Sequence, residues 1–193
     1  MNLANRITVL RILMVPFFLW VFFADTNDNA NLWAAVVFVA ATLTDGLDGY
    51  IARTRRQVTT LGKFMDPLAD KMLISAALIA LVERGVLPAW IVVVIVAREF
   101  AVTGLRGIVA AEGVVIPASI FGKIKTFIQS LAITVLLLQD IPQLQNIISY
   151  DIMHTTGIVM IYCALFFTLY SGIDYILRCL PLLLSDRANK PPQ

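Results

Sequence analysis

Six apolar segments, at roughly residues 8–24, 32–53, 63–82, 88–109, 120–139 and 154–179, each approach the ~20 residues that a helix needs to cross the hydrocarbon of a bilayer. Backbone groups in lipid must be paired within the protein, which leaves helices or a closed barrel, and these segments lack the period-two alternation of barrel strands. Composition agrees. Of 193 residues, 59% are hydrophobic and mean hydropathy is +0.83, above the ~45–50% apolar usage of soluble domains. The expected fold is an all-α integral membrane protein with six transmembrane helices. The connections are short, and no repeat, low-complexity tract or soluble domain interrupts them, so residues 1–193 are expected to form a single membrane domain.

Near the N-terminus, Asn5, Arg6, Thr8 and Arg11 alternate with Leu3, Ile7 and Leu10, a pattern suited to a short interfacial helix leading into the first span. The apolar run from Ile12 to Ala24 stays bulky up to Phe23 and is followed by ADTND, a poor cleavage site, so it is expected to be a retained span and not a signal peptide. Net charge is only +2, but its distribution is one-sided. With a cytoplasmic N-terminus, every Lys and Arg except Arg84 falls on or toward the cytoplasmic side, while Asp25, Asp28, Glu83, Asp140 and Asp151 fall outside. Six spans then return the C-terminus to the cytoplasm. Cys163 and Cys179 lie in or beside one apolar segment and read as reduced packing residues.

Against this background, Asp45, Asp48, Asp66 and Asp70 are anomalous. An ionised Asp at bilayer depth costs at least ~2.5 kcal/mol, so these carboxylates need cations, water or substrate around them. Asp45 and Asp48 are three apart and Asp66 and Asp70 four apart, so each pair shares one helix face, and the pairs flank a tight cytoplasmic turn. Antiparallel neighbours would bring all four to one level. Such an oxygen-rich cluster suits Mg²⁺ or Mn²⁺, and two metals ~3.5–4 Å apart would clamp the oxygens of a phosphoryl transfer. Gly46, Gly49, Ala52 and Gly62 fit close backbone approach by a ligand, or plain helix packing.

The string DxxDGxxAR, eight residues, then GxxxDxxxD stands here as Asp45, Asp48, Gly49, Ala52, Arg53, Gly62, Asp66 and Asp70, and it resembles the signature of the CDP-alcohol phosphatidyltransferases. The likeness covers nearly the whole chain. That resemblance implies a six-helix membrane fold, metal ligation by Asp45, Asp48, Asp66 and Asp70, and Asp70 as general base. It also implies a CDP-lipid pocket lined by Asp48, Gly49, Ala52, Arg53 and Gly62, with Arg53 on the diphosphate. A homodimer follows from the resemblance alone, and the bacterial inner membrane with a site facing the cytoplasm agrees with the charge count above.

Arg98 and Arg106 in AREFAVTGLRG, with Lys123 and Lys125 in GKIKT, supply four further cations. They imply an acceptor alcohol that carries its own phosphate, for which Arg offers a bidentate fork. The strings REFAVTGLR, GKIKT and NRITVLRILMVPFF resemble the branch of the family that uses sn-glycerol 3-phosphate. The expected reaction joins CDP-diacylglycerol to glycerol 3-phosphate with release of CMP. Asn5, Thr8 and Arg11 could touch the nucleotide or the phosphate, though capping and anchoring explain them as well. Glu99 reads either as an ion pair orienting Arg98 or as an interfacial charge, and Asp174 with Arg178 as an intrahelical pair.

Alternatives from other acceptors are serine, inositol phosphate or phosphatidylglycerol. An intramembrane prenyltransferase would also pair Asp-rich motifs with Mg²⁺, but leaves DGxxAR and GKIKT unexplained. A cation transporter would spread its acids along a path, and here they gather at one face beside many cations. Membrane lipid is an expected partner and nucleic acid is not.

Overall fold

The computed structural model describes the backbone of residues 3–24, 30–55, 60–111 and 120–189, and side chains over 9–24, 30–44, 68–69, 71–110 and 120–180. Among the described residues there is no strand. The helices are α1 (Leu3–Phe23), α2 (Ala30–Arg55), α3 (Thr60–Glu83), α4 (Ala89–Ala111), α5 (Ile120–Leu138), the four-residue α6 (Pro142–Gln145) and α7 (Tyr150–Asn189). Five of these boundaries fall within a few residues of the apolar segments read from sequence. The opening differs from expectation in that, among the described residues, the backbone from Leu3 onward runs without a break into the first long helix, with no separate helix before it. Its polar and apolar residues were compatible with one continuous helix, and the sequence there offers no stop signal.

Within the described residues, Ile120–Leu138 and Tyr150–Leu180 are long and apolar enough to cross a membrane, and Val9–Phe23 and Ala30–Thr44 are shorter apolar stretches. Helix α4 is also apolar but carries Arg98, Glu99 and Arg106 along its length. At about 1.5 Å per residue, the 40-residue α7 is about 60 Å long and extends well past a ~30 Å hydrocarbon core.

Side chains sort in the sense expected of a lipid-facing bundle. Trp20, Trp33, Val93, Phe127, Phe166 and Ile173 point outward, while the interior combines Phe18, Phe22, Phe38, Leu78, Ile91, Ile95 and Ile133 with Ala34, Ala35, Ala77 and Ala132. The alanines let backbones approach, which is how helices gain dispersion contacts where lipid is as apolar as leucine. Helix α1 packs on α2 and α3, α7 packs on α4 and α5, and α5 also meets α2 and α3, joining the two groups. Near the start of that region, Thr42 and Thr44 donate to the carbonyls of Phe38 and Ala40 at 2.8 and 2.7 Å, so neither hydroxyl is left unpaired in an apolar segment.

The end of α3 fixes the relation of the first three helices. Gly85 adopts φ +72, its N–H donates to Val82 O at 2.8 Å, and the Val86 N–H donates to Leu81 O at 2.9 Å, the paired bonds of a Schellman cap. Arg84, held at that cap, donates to Asn31 Oδ1 at the start of α2 and to the Phe22 carbonyl at the end of α1, with its guanidinium 4.0 Å above the Phe22 ring. Three helix ends are therefore tied at one level.

Candidate active site

That tie sets a register for the acidic motif. From Asn31 to Asp45 along α2 is 14 residues (45 − 31), and from Arg84 back to Asp70 along α3 is also 14 (84 − 70). From Asn31 to Asp48 is 17 residues and from Arg84 to Asp66 is 18. Equal rise per residue on two antiparallel helices thus brings Asp45 level with Asp70, and Asp48 level with Asp66. Gly49, Ala52 and Arg53 continue α2 beyond them, and Gly62 lies one turn beyond Asp66 on α3. The side chains of all eight motif residues, and residues 56–59, lie outside the described residues. Four Asp residues at two adjacent backbone levels carry the oxygen chemistry that hard divalent cations take.

Beside Asp70 the described side chains begin, and they form a charged cluster. Glu99 Oε2 lies 3.3 Å from Lys71 Nζ, its Oε1 lies 3.2 Å from Arg98 Nη1, and Lys125 Nζ pairs with the same Oε1. The three cations come from α3, α4 and α5. Lys125 is only 6% exposed, so its charge depends on that partner. Arg98 also donates from Nη2 to Ser171 Oγ at 2.6 Å, and the Ser171 hydroxyl donates to the Phe167 carbonyl at 2.6 Å, which brings α7 into the same network. Gly172 leaves room for this arginine: a Cβ there would stand 2.9 Å from Arg98 Nε and 3.1 Å from its Cγ.

Next to the cluster lies a chamber of about 30 Å³, room for about two water molecules. Its polar wall is Lys71, Ser75, Glu99, Lys125, Thr126 and Gln129, and its floor is Ile74, Leu78, Ile95 and Val96. The Gln129 Nε2 donor is buried without a partner there, and Arg98 Nε is buried without one on the α7 side, against Gly172. Buried donors are ordinarily satisfied, so Gln129 Nε2 stands ready for an acceptor oxygen in the chamber.

Of the four cations read as an acceptor-phosphate set, Arg98 and Lys125 meet through Glu99. Arg106 is exposed, with its guanidinium 5.5 Å from the Tyr175 ring on α7, and Lys123 is exposed on α5. Arg11 is buried in α1, while the side chains of Asn5 and Thr8 lie outside the described residues. Lys71, Ser171, Gly172 and Gln129 were not singled out from sequence. Lys71 follows Asp70 directly, and Gln129 is one turn below Lys125, a polar residue inside an apolar run. Those were the available signals. Asp174 and Arg178 form their expected pair at 3.0 Å. At the opposite end, His154 Nδ1 lies 3.0 Å from Gln139 Oε1 and its ring stacks on Tyr150.

Residues 1–170 match the family described as CDP-alcohol phosphatidyltransferase. A CDP-diacylglycerol–glycerol-3-phosphate 3-phosphatidyltransferase of Bacillus subtilis is 43% identical over 185 residues, covering 90% of this chain and 93% of the relative. A probable phosphatidylglycerophosphate synthase of Mycobacterium tuberculosis is 41% identical over 181 residues, covering 93% and 82%. A Rickettsia felis protein with the same name as the Bacillus relative is 38% identical over 178 residues, covering 92% and 95%. These matches leave no place for the prenyltransferase and cation-transporter alternatives.

Proposed function

The chain belongs to the CDP-alcohol phosphatidyltransferase family, and from that premise we infer that it transfers the phosphatidyl group of CDP-diacylglycerol to sn-glycerol 3-phosphate. The products are phosphatidylglycerophosphate and CMP. The observation that carries this reading is identity of 43%, 41% and 38%, over nine-tenths or more of the chain, to relatives named for that reaction or its product. The cationic cluster around Glu99 supports a phosphorylated acceptor over serine or a neutral lipid alcohol.

In the proposed step, Asp70 accepts the proton of the glycerol C1 hydroxyl as that oxygen attacks the phosphorus bearing diacylglycerol. A new P–O bond forms there. The bond from that phosphorus to the bridging oxygen breaks, and CMP leaves with the oxygen. Arg53 contacts the diphosphate, Asp48, Gly49, Ala52 and Gly62 line the CDP-lipid pocket, and Arg98, Arg106, Lys123 and Lys125 attract the acceptor phosphate. The family is generally metal-dependent. Divalent cations, Mg²⁺ or Mn²⁺, bound by Asp45, Asp48, Asp66 and Asp70 would neutralise charge on the diphosphate and lower the pKa of bound oxygen groups.

The accompanying architecture is six spans with both termini in the cytoplasm of a bacterial cell, the acids near the inner face of the inner membrane, and a homodimer. Lys and Arg on one side support that orientation. The test is purified protein with CDP-diacylglycerol, Mg²⁺ and a panel of acceptors. CMP release with glycerol 3-phosphate is the expected result; release with serine or phosphatidylglycerol and none with glycerol 3-phosphate would overturn the assignment.

A further inference from the structure

We propose that Glu99 is a positioning residue for acceptor recognition: it gathers Lys71, Arg98 and Lys125 from three helices into one site of net charge +2 matched to a phosphate monoester dianion. The inference rests on the phosphorylated-acceptor reading above and names a residue that reading does not contain. Three cations and one carboxylate give 3 − 1 = +2, the complement of a dianion. Among the described residues, Glu99 is the one carboxylate that any of the three touches. A neutral alcohol would leave that excess charge uncompensated beside an apolar floor.

Two further features place Glu99 at this task. Its own backbone is fixed, with Thr103 Oγ1 donating to the Glu99 carbonyl at 2.7 Å. A donor left without a partner, Gln129 Nε2, lines the same chamber as Glu99, and Gln129 is 1% exposed. The chamber's 30 Å³ is too small for a glycerol phosphate, so the acceptor phosphate docks at the cations' outer side while the chamber holds water against Gln129. Without Glu99, three like charges within contact distance of one point repel, and Lys71 and Lys125 have no described anion to hold them. The attraction of one extra positive charge for phosphate is smaller than the loss of directed hydrogen bonds.

Steady-state kinetics of E99Q, E99D, K71M, K125M and E99Q/K125M, each with both substrates varied, test this. E99Q is expected to raise the KM for glycerol 3-phosphate about tenfold, the scale of one charge-assisted hydrogen bond, while KM for CDP-diacylglycerol and kcat stay within about twofold. E99D, which keeps the carboxylate, should recover most of the loss. In the double variant the combined loss should fall short of the product of the two single losses, because both changes break the Glu99–Lys125 pair, although E99Q also releases Lys71 and Arg98. Protection of the protein against heat by inorganic phosphate provides a readout without turnover and should weaken in E99Q. An unchanged acceptor KM in E99Q, equal losses for both substrates, or effects that multiply in full would overturn the role. An E99Q that does not fold leaves the decision to K71M, which removes one of the gathered cations and for which an acceptor KM altered no more than the CDP-lipid KM counts against the site. Failure of the wild type to use glycerol 3-phosphate is a separate outcome: it removes the acceptor assignment itself.

Discussion

At the scale of single residues, Arg98 shows how much a helix neighbour can decide. Its guanidinium is shared between Glu99 and Ser171, and its aliphatic stem lies against Gly172, where a methyl group would intrude to 2.9 Å from Nε. Gly172→Ala should therefore displace the arginine and raise the KM for glycerol 3-phosphate by about three- to tenfold, with the CDP-lipid KM unchanged, as read in the same CMP-release assay. Asp70→Asn removes the proposed base but keeps the shape of the side chain. It is expected to lower turnover at least ~10³-fold while binding of radiolabelled CDP-diacylglycerol is largely retained; near-normal turnover would remove Asp70 from that role. The pairing of Arg98 with Glu99 was open to reading as neighbours in sequence, but the hub was not. Lys71 and Lys125 lie 28 and 26 residues from Glu99, and nothing local in an apolar run states which helix faces will meet.

At the scale of elements, apolar length located five of the long helices closely, because a segment that must pair its backbone in lipid has few alternatives to a helix. The same uniformity hid the relative rotation of α4, α5 and α7, since apolar residues serve equally against lipid or a neighbour. What the sequence did state locally is the stop after α3, where ERG ends in a glycine at φ +72. Gly85→Ala should cost about 1 kcal/mol, seen as a lower thermal midpoint in detergent, since an L-residue resists this conformation. The effect should extend beyond the turn, because Arg84 there holds α1 and α2 in the register that levels Asp45 with Asp70. Helices α2 and α3 supply all four acids, so chelation of divalent cations is expected to abolish CMP release without unfolding the protein, and Mg²⁺ or Mn²⁺ should restore it. Activity that persists in excess chelator would contradict the proposed metal site.

Across the whole molecule, the basic residues and the tryptophans divide between its two ends. Trp20 closes α1, Trp33 opens α2, Trp90 opens α4 and Tyr150 opens α7, and all of these rings are exposed. Arg84 links the α1, α2 and α3 ends directly, and the α4 start follows its turn, so the three tryptophans gather at one end, as in an interfacial aromatic belt. The acidic motif lies toward the other end: Asp70 is 14 residues below Arg84, about 21 Å of helix. Positive charge outside this belt is confined to Arg84, and its guanidinium is taken up by Asn31, Phe22 and the ring below it. An aromatic end poor in free cations and an acid-bearing end rich in Lys and Arg favour insertion with the aromatic end outward. In a variant whose Cys163 and Cys179 are replaced by Ala, a single Ser149→Cys, just before α7, should react with a membrane-impermeant maleimide in intact cells. A fluorescent protein fused to the C-terminus should fluoresce, as it does only when retained in the cytoplasm. Labelling of Ser149→Cys only after the cells are permeabilised, or a dark fusion with normal expression, would invert the proposed topology and move the acids to the outer face, away from a cytoplasmic supply of glycerol 3-phosphate.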